Sequence, residues 1–299
     1  MNILITGSSG FIGSRLIDSL IDSGHDVTAI DAVSLSHKVR SNAFRFVQSD
    51  TTEPGQWQES IKIADTVINL SGQNIFHRWT DKYKQKIYDS RILTTRNIVN
   101  AFPEGKSMTL ISTSAAGYYG NCGDEILDEN KGAGDDFLAR VCIDWEKEAL
   151  LARKKGVRVM CARFGVVLGA NGGALSKMVP AYRLFVGGPL GNGRQWFPWI
   201  QIDDLIGAIY FVLNNDDIDG PVNFCSPNPV RNNEFSKSLG HVLNRPSFFR
   251  TPAFMLRLAA GELGDLFLNS QRAVPSLLIA SGYTFKFPGL FEALKVSVS

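Results

Sequence analysis

The chain opens Met1-Asn2-Ile3-Leu4-Ile5-Thr6-Gly7-Ser8-Ser9-Gly10-Phe11-Ile12-Gly13-Ser14-Arg15-Leu16, and this stretch decides the fold class. Residues 3–6 form a short apolar run bounded by Gly7, as expected of a strand buried on both faces. Ile12, Leu16, Leu20 and Ile21 then recur at helical spacing, and Gly24 ends the helix. Strand, glycine turn and helix in that order predict a dinucleotide cradle. Gly7 turns the chain sharply out of the strand, Gly10 has no side chain to hold the backbone away from a pyrophosphate, and Gly13 lets the helix sit close on the strand. The backbone N–H groups of the turn and first helical residues, with Ser9, Phe11 and Ile12 among them, face the phosphate charge. A glycine turn without a ligand is the bland alternative; the buried strand before it and the amphipathic helix after it argue for the site.

Working outward, residues 27–30, 44–47, 66–70, 109–112 and 157–162 read as further strands, and residues 81–102 and 137–155 as helices. Strands alternating with helices predict an α/β fold: a Rossmann-type, doubly wound parallel sheet with right-handed crossovers. Gly7, Asp31, Asp50, Ser71 and residues 112–119 all fall at carboxyl ends of strands, where such sheets bind ligands. Asp31, 18 positions after Gly13, suits the adenosine ribose hydroxyls and repels a 2′-phosphate, which favours NAD over NADP. His37, Lys38 and Arg40 follow closely and supply the opposite reading, a phosphate site. Asp50 reads either as a contact to the adenine amino group or as a solvated turn. From Gly165 the texture changes to dense glycine, then Trp196, Phe197 and Trp199, then helix. The division expected is a dinucleotide-binding domain over residues 1–165 and about 196–225, with a smaller substrate domain over about 166–195 and 226–299.

With 44% apolar and 20% charged residues and a net charge of +2, composition is that of a soluble globular protein and argues for neither a nucleic-acid nor a membrane partner. Cys122, Cys142, Cys161 and Cys225 have neither zinc-site nor disulfide-framework spacing, so no metal is expected. The N-terminus lacks the pattern of a signal segment and no apolar run reaches transmembrane length; a cytoplasmic protein with free thiols is the reading.

The segment from Thr6 to Leu16 resembles the extended short-chain dehydrogenase/reductases, the family of nucleotide-sugar epimerases and dehydratases. Val67-Ile68-Asn69-Leu70-Ser71-Gly72 looks like that family's fourth-strand motif. Arg78-Trp79-Thr80, Ser90-Arg91, Gly117-Tyr118-Tyr119-Gly120, Asp144-Trp145-Glu146, the Gly187-Gly188-Pro189-Leu190-Gly191-Asn192-Gly193-Arg194-Gln195 block, Trp199-Ile200-Gln201-Ile202-Asp203-Asp204 and Gln271-Arg272 with Pro275 resemble its atypical, epimerase-like subgroup. The resemblance implies a cleft between the two domains, a small-molecule substrate of nucleotide-sugar type and a two-fold homodimer. It implies cofactor contacts from the backbone of Leu70, Ser71 and Gly72 and from Lys86 and Arg91, with Val167 on the nicotinamide side. Two positions depart from the subgroup: Asp31-Ala32 stands where many members have arginine, and Gln201 replaces a histidine.

The family's chemistry uses a serine that hydrogen-bonds the substrate oxygen, a tyrosine that exchanges its proton, and a lysine four residues later whose charge lowers the tyrosine pKa. No tyrosine here has a lysine four residues on; aligned through Glu146, the two slots fall on Leu138 and Cys142. Ser114 is the candidate serine, with Ser112 the alternative and also a candidate cofactor contact. Tyr118 or Tyr119 is the candidate acid, or packs under the nicotinamide ring. Cys142 reads as a small packed residue before it reads as a reactive thiol. Residues 187–194 read as an anion-binding loop served by Arg183 and Arg194, or as an ordinary surface loop. Two functions follow: an NAD(P)-dependent oxidoreductase or epimerase, or a dinucleotide-binding sensor or structural protein without turnover.

Overall fold

The computed structural model describes residues 1–35 and 39–298. In chain order the elements are β1 (Asn2–Thr6), α1 (Phe11–Asp22), β2 (Asp26–Asp31), β3 (Phe44–Gln48), α2 (Glu59–Ile63), β4 (Thr66–Asn69), α3 (Asp81–Ala101), β5 (Thr109–Ala115), β6 (Ile126–Leu127), α4 (Phe137–Leu150), β7 (Arg158–Phe164), β8 (Val166–Leu168), α5 (Leu175–Arg183), β9 (Trp196–Phe197), β10 (Trp199–Gln201), α6 (Ile202–Leu213), β11 (Gly220–Phe224), β12 (Val230–Arg231), α7 (Asn232–Val242), α8 (Ala253–Ala260), α9 (Glu262–Leu266), β13 (Arg272–Ala273), α10 (Ser276–Ala280) and α11 (Leu290–Ser297).

Seven strands form one sheet in the order β3-β2-β1-β4-β5-β7-β11, parallel throughout. This is the Rossmann-type doubly wound sheet expected, and its order reverses between β1 and β4, where such folds bind ligands. The central strands β1, β4 and β5 are mostly apolar and buried because both faces are covered, whereas the edge strand β3 carries exposed Arg45 and has no buried residue. On one face Leu16, Ile17 and Leu20 of α1 and Leu205, Ile209 and Val212 of α6 pack on Ile3, Ile5 and Ile68. On the other, Ile61 of α2, Ile98 and Val99 of α3 and Ala149 of α4 pack on Leu4, Val67 and Leu110.

A third core lies off the sheet, where Leu168, Leu175, Tyr182, Trp199, Phe235, Leu239 and Leu294 meet. Trp199 packs there while its neighbour Ile200 packs in the sheet core, so β10 stitches the two together. Gln201, the position where the subgroup carries histidine, caps α6: its Oε1 accepts from the N–H groups of Asp203 and Asp204. The C-terminal segment is tied down by two carboxylates, Asp204 buried and Glu129 half-buried. Asp204 accepts from the N–H groups of Lys286 and Phe287 at 2.6 and 2.9 Å, and Glu129 accepts from those of Asn223 and Leu277 at 3.1 and 3.2 Å. Among the described residues no helix is long and apolar enough to cross a membrane.

Candidate functional site

The glycine turn has the geometry that the three spacings predict. Gly7 has a φ of +69°, and a Cβ there would stand 2.6 Å from the carbonyl of Leu70, so only glycine lets β1 turn against the end of β4. A Cβ on Gly13 would fall 2.6 Å from the Gly7 oxygen and 2.8 Å from the Ser8 backbone, so α1 sits directly on the turn. Gly10 differs: it is exposed, and only the Gly7 oxygen, at 3.2 Å, lies near a Cβ built on it. The first turn of α1 has neither a side-chain cap nor an acidic residue, which leaves its positive end available to an anion. The Phe11 ring packs over the later glycine loop, where a Cβ on Gly169 would come within 2.8 Å of it. Phe11 therefore joins the turn to the loop after β8 through its ring and offers only its backbone to a ligand. Ile12 is half-buried against the sheet core.

At the end of β2 the Asp31 carboxylate accepts from the Ser9 N–H at 2.9 Å and the Val33 N–H at 3.1 Å, while the Ser9 hydroxyl donates to the Val33 carbonyl at 2.6 Å. Asp31 thus ties the glycine turn to the end of the second strand. Arg40 is exposed; His37 and Lys38 lie outside the described residues. Asp50 accepts from the Thr52 N–H and hydroxyl at 2.9 and 2.7 Å and so closes a local turn just past β3.

At the end of β4, Asn69 is buried and organises the crest. Its Oδ1 accepts from the Thr6 hydroxyl at 2.8 Å and the Ser71 N–H at 3.2 Å, and its Nδ2 reaches Thr95 at 2.9 Å and Ser112 at 3.4 Å. Ser112 is therefore a buried support of the strand end. Gly72 makes room for Arg91, whose Cζ would lie 3.1 Å from a Cβ there. Arg91 donates to the carbonyls of Gln73 and Ile87 at 3.2 and 3.0 Å, lies over the Trp145 ring and has no carboxylate partner among the described residues. Burial pulls its pKa down. It is a cation held at the carboxyl end of β4. Lys86 is exposed and sits five positions earlier on α3, roughly 140° around the helix, so it does not share the Arg91 face. Val167 is half-buried on β8 and pairs with Ile200.

Beneath the ends of β5 and β7 lies a buried polar network that sequence reasoning missed. Glu146 of α4 accepts from Nε and Nη2 of Arg163, both at 2.8 Å, and from the Ser114 hydroxyl at 2.7 Å. Arg163 Nη1 donates to the Tyr119 hydroxyl at 3.0 Å, and Tyr119 reaches Asn223 Oδ1 at 2.8 Å and the Asp128 carbonyl at 3.0 Å. The guanidinium also lies 3.5 Å from the Tyr118 ring centroid. Burial alone would pull Arg163 down; its hydrogen bonds to Glu146 reverse the sign and hold it above its ordinary value. Burial pushes the Tyr119 hydroxyl up to about 12 despite Arg163.

This network changes the reading of two candidates. Ser114 points into the network and Tyr119 is 0% exposed with its hydroxyl fully engaged, so both hydroxyls are committed to buried partners beneath the ends of β5 and β7. Tyr118 is the half-buried member, and among the described residues its hydroxyl has no hydrogen-bond partner. Cys142 is 3% exposed, and burial raises its thiol to about 11, as befits a packed residue. The signal that could have found the network is Arg163 inside an otherwise apolar strand, since a charge there requires a buried partner.

Tyr119→Phe is expected to cost about 1–3 kcal/mol, because the buried Asn223 Oδ1, the half-buried Asp128 carbonyl and the Arg163 donor lose their partner. The alkaline limb gives a second readout. Below pH 10 the tyrosine is neutral in both states. From about 10 to 12 the unfolded chain ionises and the folded one does not, so stability falls by about 1.4 kcal/mol per pH unit. Urea titrations across that range should show the slope in the wild type and its reduction in Tyr119→Phe.

Fold and site together define a Rossmann-type protein of the extended short-chain dehydrogenase/reductase kind. The chain belongs to the NAD dependent epimerase/dehydratase family, whose model matches residues 3–224; residues 251–296 match a Domain of unknown function (DUF1731). It is 38% identical to the epimerase family protein SDR39U1 homolog, chloroplastic, of Arabidopsis thaliana over 99% of this chain and 86% of that one. It is 37% identical to epimerase family protein YfhF of Bacillus subtilis over 98% and 97%. Among solved structures, human epimerase family protein SDR39U1 (isoform 2) with NADPH matches with a TM-score of 0.84 and 30% identity, covering 99% of both chains. MoeE5 in complex with UDP-glucuronic acid and NAD shares the fold, with a TM-score of 0.80, 21% identity and 99% and 97% of the two chains covered.

Proposed function

We propose that the chain binds a nicotinamide dinucleotide along the crest from Gly7 to Asp31 and uses it for oxidoreduction or epimerisation of a nucleotide-sugar-like substrate. The observation that carries this reading is the cradle at Gly10, open where a pyrophosphate would lie and facing an uncapped helix N-terminus. The NADPH named with the human relative supports it.

In this reading the N–H groups at Phe11 and Ile12 hold the pyrophosphate, Asp31 the adenosine ribose and Asp50 the adenine side. Leu70, Ser71 and Gly72 border the cofactor by their backbone, Arg91 adds a cation, and Val167 lines the nicotinamide side. The cofactor supplies hydride acceptance or donation. The chain supplies position: the Ser114–Glu146–Arg163 network fixes the strand ends, and Tyr118, stacked on Arg163, is the hydroxyl offered to the substrate. The substrate portion, about 166–195 and 226–299, contributes a cavity of about 590 Å³ lined by Gly191, Asn192, Gln195, Arg250, Pro252, Ala253 and Leu268.

Single-turnover absorbance at the nicotinamide band, across a panel of nucleotide sugars, tests the reaction. Leu138 and Cys142 in the slots of the family's tyrosine and lysine favour a second reading, a dinucleotide-binding sensor without turnover. Tight cofactor binding with no absorbance change for any panel member would select it.

Cofactor choice follows Asp31. Its carboxylate repels a 2′-phosphate, so NADH should bind more tightly than NADPH, by roughly 1–3 kcal/mol. Asp31→Ala should narrow that gap in a calorimetric titration. A wild-type preference for NADPH would transfer the ribose end of the site to the basic residues after β2.

A further inference from the structure

One face of the off-sheet core is strongly apolar and uncovered. Leu184, Phe185 and Val186 follow α5, Phe248 and Phe249 precede α8, and Phe254, Met255 and Leu258 lie on α8; all are exposed, with Phe248 at 77%, Phe254 at 68% and Leu258 at 83%. None of the eight residues of α8 is buried. The two segments form one surface: Gly191 donates its N–H to the Thr251 carbonyl at 2.8 Å, Thr251 donates to the Pro189 carbonyl at 3.0 Å, and the Arg245 guanidinium lies 4.9 Å from the Phe185 ring centroid. Phe185 has a φ of +63°, an uncommon conformation for a bulky residue, and stands 57% exposed. A folded chain gains nothing by holding so many large apolar side chains in water, and contiguous patches of this kind mark binding faces.

Charge identifies the occupant. Residues 175–195 and 235–261, the two segments that carry this face, contain no aspartate or glutamate, and the acids that border it, Glu262 and Asp265, lie on α9. Arg183, Arg245 and Arg250 are exposed around the apolar tips; Arg257 is paired with Asp265 at 2.7 Å. Apolar tips rimmed by guanidiniums match an interface of hydrocarbon under anionic headgroups. A second copy docked two-fold through the same face would set like charges against each other. We propose that this face docks on an anionic lipid surface, with Phe248, Phe254 and Leu258 entering the headgroup boundary and the arginines at headgroup level. Such docking needs no spanning helix. It brings the mouth of the cavity lined by Arg250, Pro252 and Ala253 to the lipid surface, and it stands independently of the reaction proposed above.

The full-length protein should co-sediment with vesicles in which roughly one third of phosphatidylcholine is replaced by phosphatidylglycerol, weakly with phosphatidylcholine alone, and less as salt rises. Phe254→Ser/Leu258→Ser and, separately, Arg245→Glu should each lower the vesicle partition coefficient at least about tenfold, with thermal transition and dinucleotide affinity retained. Absence of binding to either vesicle overturns the proposal, as does binding that both variants leave unchanged. Sedimentation velocity showing a dimer that Phe254→Ser/Leu258→Ser dissolves, without vesicle binding, assigns the face to a second copy instead. Variant-sensitive binding to soluble polyglutamate without vesicle binding assigns it to an acidic protein.

Discussion

Arg163→Met is expected to lower the free energy of unfolding by roughly 3–5 kcal/mol in denaturant titrations at neutral pH. Arg163 is 2% exposed and supplies two of the three donors that hold Glu146. Without it, Glu146 keeps only the Ser114 hydroxyl, and a carboxylate out of water with one donor is far from compensated. Tyr118 loses the guanidinium under its ring, and Tyr119 loses a donor. The pair itself is worth little against apolar residues of similar volume, since desolvating two charges offsets most of their attraction. Arg163→Met with Glu146→Leu should therefore recover most of the loss. A single substitution costing under about 1 kcal/mol would mean that water reaches Glu146, and the network would not be what holds the ends of β5 and β7.

The same residues show where sequence reading stops. The first four strands of the sheet are legible because each is a mostly apolar segment between turn residues, β3 with Arg45 as its polar interruption. β5 was read as ending at residue 112 but continues to Ala115, because Ser114 is polar and yet buried on Glu146. β7 was read as ending at 162 but continues through Arg163 and Phe164 for the same reason. The seventh strand, β11, falls inside the stretch of about 196–225 assigned to the dinucleotide-binding domain, but its sequence, with Pro221 and Asn223, does not read as a strand. It lies at the sheet edge, where proline is tolerated, and the Asn223 amide is satisfied by the carbonyls of Leu127 and Val274 at 3.1 and 2.9 Å. Local pattern reports the backbone and the apolar core. It does not report pairings such as Glu146 with Arg163, which depend on how α4 is set down on the sheet. The glycine turn was legible in full because its three requirements fall within seven consecutive residues.

Gly10→Val is expected to weaken NADH and NADPH binding at least about a hundredfold, or about 2.8 kcal/mol, while the chain stays folded. The three glycines separate here. A Cβ on Gly7 or Gly13 meets backbone at 2.6 Å, and Gly7 also requires positive φ, so substitution there strikes the fold itself. Gly10 has φ −72° and ψ 171°, which any residue adopts, and its built Cβ has one near neighbour, the Gly7 oxygen at 3.2 Å. That contact asks for a shift of a few tenths of an ångström. The branches of valine then project into the open side of the turn, between the uncapped start of α1 and the approaching ligand. In the Rossmann turn this is where the pyrophosphate meets the backbone. The measurement is paired: isothermal calorimetry with each cofactor, and thermal unfolding of Gly10→Val beside Gly13→Val. Gly13→Val should lose stability first and binding as a consequence; Gly10→Val should lose binding with its transition close to wild type. If folded Gly10→Val binds either cofactor with wild-type affinity, the dinucleotide does not lie on this turn, and the roles of Asp31 and Arg91 fall with it.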